Sequence, residues 1–219
     1  LEVHKAAARI LRPGITTTEV ADFIAKAHTA LGFDIPASFA IVLFGEATAY
    51  PHGVPYPQTL AEGDTVLIDI GAPMHGYQSD VTRTYVYGTP SARQREVWNV
   101  EKQATLAVFN AAQLGTPCEA LDAAGRAVIE AAGFAKDYAL PGLPHRTGHG
   151  IGLDVHEEPY IVRGDTTPLA PGMCFSNEPT ICIYGEFGVR LEDHIWMGPD
   201  GPHWFTPPSP SIDDPFGVA

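Results

Sequence analysis

Two short segments of the 219-residue chain place acidic side chains where a hairpin would set them face to face. In T-V-L-I-D-I-G-A-P-M-H-G-Y-Q-S-D-V-T, Asp69 and Asp80 flank a turn whose midpoint falls at Met74-His75, beside Gly76. In N-E-P-T-I-C-I-Y-G-E-F-G-V-R-L-E-D, the midpoint of Glu178 and Glu192 is Gly185. Cross-strand partners have Cβ atoms roughly 4.5–5.5 Å apart, and like charges that close are destabilising unless a cation lies between them. Each hairpin is therefore a candidate half of a metal site. Alternation puts Asp69 with Leu67 and away from Val66, Ile68 and Ile70, so the opposite face of the strand is left to pack on a core.

Exposed turn acids would explain either hairpin alone, and the histidines decide between the readings. Four of the nine fall in two motifs, Pro51-His52-Gly53 and P-H-R-T-G-H-G-I-G-L-D-V-H-E-E-P, the second carrying His145, His149 and His156. Glycine-rich surroundings suit close backbone approach to a ligand better than core packing. The cluster is not H-E-x-x-H, because His156-Glu157-Glu158-Pro159 lacks the second histidine and its proline opposes a helix. G-H-G-I-G supplies no G-K-[ST], and G-x-S-x-G is absent, so neither a phosphate loop nor a serine nucleophile is indicated.

Taken together, P-H-G at 51–53, D-I-G at 69–71, S-D-V-T-R-T at 79–84, G-H-G-I-G-L-D-V-H-E-E-P at 148–159, N-E-P at 177–179 and V-R-L-E-D at 189–193 resemble the pita-bread metallopeptidases. That family holds methionine aminopeptidases, aminopeptidase P and prolidase. The resemblance spans roughly residues 1–205 and implies two divalent metals held by Asp69, Asp80, His149, Glu178 and Glu192, with Asp80 and Glu192 bridging. It further implies a metal-activated water as nucleophile, Glu178 as its proton acceptor, and His52 and His156 contacting the substrate amide. Y-x-S-D-x-T-R-T and V-R-L-E-D resemble the Xaa-Pro branch, for which Arg190 and His145 are the expected substrate-binding residues. The implied substrate is a peptide with proline at its second position. Methionine aminopeptidase and a non-catalytic peptide- or protein-binding domain are the alternatives, with a metal-free creatinase-like hydrolase more remote. Oxygen-rich ligation suits Mn²⁺, with Co²⁺ or Zn²⁺ as alternatives. A homodimer is compatible with the branch. The N-terminal domain usual among full-length Xaa-Pro peptidases is not visible, which leaves dipeptidase against aminopeptidase open.

These residues need a scaffold, which the resemblance makes an α+β pita-bread fold: two pseudo-symmetric αβ halves, a curved and mostly antiparallel sheet, and helices on its outer face. Apolar periodicity predicts a helix through Val3 to Ile10, a second opened by a Thr16-Glu19 capping box and ended at Gly32, and a strand at Ser38 to Phe44. Strands are expected at Thr65–Ile70 and Val81–Tyr87, then helices at about Ser91–Leu114 and Pro117–Ala132. The stretch from Gly133 to Gly172 reads as loop, and strands follow at Met173–Glu178, Val189–Met197 and His203–Phe205. Residues 1–205 form the expected catalytic domain, and the Pro-rich 206–219 a tail.

With 26 Asp+Glu against 13 Lys+Arg, the formal charge of −13 argues against nucleic acid and anionic membrane surfaces as partners. Three cysteines without C-x-x-C spacing predict buried thiols in a reducing, cytoplasmic compartment. No apolar run approaches the roughly 18 residues of a membrane span.

Overall fold

Thr16 and Ser91 each open a helix by the expected exchange of hydrogen bonds: the hydroxyl accepts from the backbone three residues on, and the Glu19 or Gln94 side chain accepts in return. The computed structural model describes residues 1–217. Its first half runs α1 (Glu2–Ile10), α2 (Thr17–Ala30), β1 (Phe39–Phe44), a 3-10 turn at Gly45–Ala49, β2 (Thr65–Gly71) and β3 (Val81–Val86). The second runs α3 (Ala92–Ala111), α4 (Cys118–Ala131), β4 (Gly148–Gly150), β5 (Glu157–Ile161), β6 (Cys174–Asn177), β7 (Thr180–Ile183), β8 (Phe187–Arg190), β9 (Asp193–Gly198) and β10 (Gly201–Trp204). Every strand pair is antiparallel, in sheets ordered β1-β2-β3, β10-β9-β6-β4-β5 and β7-β8.

Period-2 alternation divides the first sheet into a core face and a site face. Val66, Ile68 and Ile70 pack with Val42 and Phe44 against Val3, Ala7, Val20 and Ile24 of α1 and α2, whereas Leu67 turns to the other side with Leu43. Each fully buried aliphatic side chain contributes roughly 1.5–3 kcal/mol. This apolar layer therefore fixes which way Asp69 faces.

The two hairpins meet the sequence expectation differently. β7 and β8 pair Ile183 with Phe187 and Thr180 with Arg190, a ladder centred on Gly185 that points Glu178 and Glu192 at each other. β6 and β9 continue the same registry on the far side, pairing Asn177 with Asp193. Hence the strand expected at Val189–Met197 is two strands, interrupted at Leu191-Glu192. In the other hairpin the turn residues are His75 and Gly76, with φ of 55° and 81°, closed by the Met74–Tyr77 bridge. Two consecutive positive φ values are the type I′ requirement. The centre therefore lies one residue later than expected, and Asp69 is directly opposite Thr82, with Asp80 diagonal on the same face.

Two short strands lie within the stretch read as loop. β4 is squeezed between β5 and β6 so closely that a Cβ at Gly148 would sit 2.1 Å from the Ser176 carbonyl oxygen, and one at Gly150 2.6 Å from that of Glu157. The glycines flanking His149 are thus required by backbone approach. Beyond β10 the described residues of the Pro-rich segment form no helix or strand, yet Ile212 packs with Val97 and Trp98, and Phe216 packs on the first core. Residues 218–219 of the expected tail lie outside the described residues. Among the described residues no helix is long and apolar enough to cross a membrane.

Candidate metal centre and its cavity

Bonds between the two halves bring their acids together. Glu192 N–H donates to the Thr82 carbonyl (3.1 Å) and the Thr84 hydroxyl to the Arg190 carbonyl (2.7 Å), joining β3 to the end of β8. Asp69, Asp80, His149, Glu178 and Glu192 then line one cavity of about 1180 Å³ together with His52, His145, His156 and Arg190. All nine residues singled out from the sequence are on its wall.

Among the described residues, three groups of side chains offer ligand atoms within 4.8 Å of one another: Asp80-His149-His156, His149-Glu178-Glu192 and Asp69-Asp80-Glu192. These are candidate sites for two divalent cations. Asp69, Asp80, His149 and Glu192 are at most 7% exposed, so water does little to separate their charges. Burial pushes the Asp80 carboxyl well above the usual range, with Asp69 and Glu178 adding to the rise. Glu192 is likewise raised by burial, then by Asp80 and Glu178. Asp69 moves upward because burial outweighs the adjacent Arg190.

Glu178 behaves oppositely. Burial disfavours its charge, but the hydrogen bond and charge of His149 outweigh that and push its carboxyl down to about 2. For His149 burial opposes the cation, and Glu178 overrides it to raise the ring. His149 Nδ1 bonds the Gly150 carbonyl (3.0 Å), which only an Nδ1–H can do. Nε2 is left 3.1 Å from Glu178 Oε1 and 3.5 Å from Asp80 Oδ2. A lone pair facing two carboxylates needs a proton or a cation between them. Asp69 Oδ1 and Glu192 Oε1 are also buried with no hydrogen-bond partner, so the donor set fits divalent cations.

Arg190 Nη2 donates to Asp69 Oδ2 (2.5 Å), Nε to the Thr82 hydroxyl (3.1 Å) and Nη1 to the Pro51 carbonyl (3.3 Å). It thereby ties the acidic cluster to the exposed loop that carries His52. His156 is also exposed and meets His149 edge-on, with ring centroids 4.3 Å apart. His145 bonds the Arg146 carbonyl through Nδ1 (2.5 Å), and its Nε2 is buried without a partner.

Two hydroxyls that the sequence reading did not single out hold the acids in place. Thr82 donates to Glu192 Oε2 (2.6 Å) while accepting from Arg190. Ser176 accepts from the His149 N–H (2.9 Å) and donates to Glu178 Oε1 (3.2 Å). Thr82 lies two residues after Asp80 and Ser176 two before Glu178, each acid just beyond the end of the strand that carries the hydroxyl, so alternation carries a signal for them. Such outer contacts typically govern metal affinity by roughly 10–100-fold. Thr82→Val is expected to weaken Mn²⁺ binding by about that factor and Thr82→Ser to restore it, measured by calorimetric titration. Equal affinity in the valine variant would remove Thr82 from the site.

A family model described as metallopeptidase family M24 matches residues 1–199. The chain is 43% identical over 200 residues to a probable dipeptidase PepE of Mycobacterium tuberculosis, covering 91% of this chain and 52% of that protein. It is 40% identical to the Xaa-Pro dipeptidase of Lactobacillus helveticus, covering 90% and 52%. Among solved structures, the prolidase from Pyrococcus furiosus superposes with a TM-score of 0.86 at 34% identity, covering 93% of this chain and 59% of that one. The X-Pro aminopeptidase from Thermotoga maritima gives 0.87 at 30% identity, covering 93% and 56%. The chain spans about half the length of the curated relatives it matches.

Proposed function

The chain belongs to metallopeptidase family M24, and on that premise we propose that it forms the metal-binding unit of a peptidase that cleaves between an N-terminal residue and a following proline. The observation that carries this reading is the sharing of acids: Asp80 and Glu192 each belong to two of the three ligand groups, whereas Asp69 and Glu178 each belong to one. Asp69, Asp80, Glu178 and Glu192, with His149 as the imidazole, would hold a pair of divalent ions there. The oxygen-rich set favours Mn²⁺, then Co²⁺ or Zn²⁺.

When bound, the ions supply Lewis-acid polarisation of the scissile carbonyl and acidify a water. The chain's own residues do the rest. Glu178, which lines the cavity beside His149, accepts the proton of the attacking water and delivers it to the leaving nitrogen. His52 and His156, on the exposed rim of the cavity, donate to the carbonyl oxygen as charge develops there. Arg190 commits three of its five N–H groups to Asp69, Thr82 and Pro51, which leaves two for substrate. His145 completes the binding wall with its unpartnered Nε2. The Xaa-Pro names of several relatives support this specificity over methionine aminopeptidase, and the complete ligand set speaks against a purely binding domain. Three unpaired cysteines support a reducing, cytoplasmic setting.

With added Mn²⁺ the chain is expected to hydrolyse Xaa-Pro dipeptides or longer Xaa-Pro peptides in preference to Met-Ala peptides. Preference for Met-Ala would overturn the specificity, and no turnover of any peptide with metal bound would favour the binding domain.

A further inference from the structure

One buried guanidinium organises the irregular segment that delivers His145 to the cavity. Between the end of α4 at Ala131 and the start of β4 at Gly148 the chain has no helix or strand, and its backbone is paired to the sheets only at Gly142, which bridges Cys182 (3.2 and 3.0 Å), and at Thr147, which bonds Ile161 and Glu178 (2.9 Å each). Arg126, on α4 and 4% exposed, fastens the backbone around and between those two points. Its Nη1 donates to the carbonyls of Asp137 (2.6 Å) and Leu143 (2.9 Å), and its Nη2 to that of His145 (2.5 Å). Its Nε is held by Asp122 Oδ2 one turn earlier (2.8 Å), and its planar head lies 4.1 Å from the Tyr138 ring centroid. The other Asp122 oxygen accepts from the Thr147 hydroxyl (2.6 Å). The pair therefore clamps the segment at both ends. A buried charge pair with every partner in place is costly to assemble and severe to break, so its geometry has one solution.

We propose that Arg126, fixed by Asp122, is a positioning residue that holds His145 in the substrate-binding wall, an inference that rests on the Xaa-Pro reading of the cavity. The acidic cluster does not depend on it directly, because none of the Arg126 bonds goes to Asp69, Asp80, Glu178 or Glu192. Lysine cannot replace it, since a point charge cannot bond three diverging carbonyls and a carboxylate at once.

The test is a double-mutant cycle on Mn²⁺-loaded protein. Arg126→Lys and His145→Ala are each expected to raise KM for an Xaa-Pro dipeptide about tenfold, with kcat changed by less than about threefold. Their combination should be no worse than His145→Ala alone, because both remove the same contact. Additive effects, or a loss confined to kcat, would overturn the proposal. Hydrogen exchange on the metal-free chain gives a readout independent of activity. Amides of residues 138–147 in Arg126→Lys should exchange about tenfold faster, while α3 keeps its protection. Unchanged exchange in 138–147 also overturns the clamp. Should α3 lose protection too, Asp122→Asn replaces Arg126→Lys in both measurements and is held to the same outcomes. A wild-type chain that turns over no Xaa-Pro peptide would sink the reading of the cavity, and the exchange result would still decide on Arg126.

Discussion

Asp80→Asn is expected to lower Mn²⁺-dependent peptide hydrolysis on the order of 10³-fold or more, since loss of several kcal/mol of metal stabilisation has that effect on rate. Asp80, like Glu192 and His149, belongs to two of the three ligand groups, so one substitution there reaches further than one at Asp69 or Glu178. The same change is expected to stabilise the metal-free chain. Asp80 is 4% exposed and lies among carboxylates, so its charged form is disfavoured by burial and then by Asp69 and Glu178. A neutral amide of the same shape removes that conflict, and in a domain of this size each kcal/mol relieved raises Tm by about 2–4 °C. Activity with titrated Mn²⁺ and calorimetry in EDTA measure the two effects. Wild-type activity in the variant would dismiss Asp80 as a ligand, and a lower metal-free Tm would show that its carboxyl is not a source of strain. Opposite signs for function and stability are what a site selected for metal binding predicts.

Removing the metal should also invert the dependence of stability on pH. In the metal-free chain Asp80 and Glu192 have raised pKa values, chiefly through burial, and His149 is raised against burial by Glu178. A group with a raised folded pKa binds more protons folded than unfolded. Its contribution to stability is full below the unfolded pKa and is lost as pH rises through the folded one. For the two acids the loss begins just above the ordinary carboxylate range, and for His149 above its ordinary value near 6.5. Glu178 has the opposite sign: its carboxyl is pushed down to about 2, so its contribution is present above the ordinary carboxylate pKa and disappears as pH falls. The contribution of this cluster to the metal-free chain should thus weaken toward pH 8, whereas the buried rings of His4 and His194, pushed down by burial, the latter to about 4, lose their contribution as pH falls below the ordinary histidine value. Each proton difference contributes about 1.4 kcal/mol per pH unit. Divalent ions displace those protons and bind more tightly as pH rises, so the stability gained from Mn²⁺ should grow across the same interval. Melting curves at pH 5, 6, 7 and 8 in EDTA and in saturating Mn²⁺ separate the two slopes. A metal-free Tm that climbs between pH 7 and 8, above the range in which the buried histidines titrate, contradicts the assignment of these carboxyls to one buried cluster.

How far the sequence carried each element depended on whether its information was local. Glu178 and Glu192 were correctly opposed because Gly185 sits at a turn with φ of 83° and the ladder runs without a slip on either side. The first hairpin turns one residue later than spacing predicts because His75 adopts φ of 55°, a conformation that residues other than glycine enter at a cost and that spacing alone does not reveal. β4 was illegible for a related reason. Three residues reading Gly-His-Gly have the composition of a loop, and they are a strand only because β5 and β6 flank them.

The amino-acid sequence by itself determined which side chains could do chemistry and which face of each strand they occupy. Alternation against Val66, Ile68 and Ile70 leaves Asp69 no choice of side, and the two glycine-rich histidine motifs announced themselves by composition. Only the tertiary structure decided how the halves meet. The contacts that make one site of two acidic hairpins are Arg190 to Asp69 and Thr82 to Glu192, between residues 121 and 110 positions apart. Local propensity carries no information over that distance. Buried like charges repel, so nothing in the acids themselves draws them together. They converge because the apolar faces behind them have no other place to pack, and Arg190, Thr82 and Ser176 then fix how they converge.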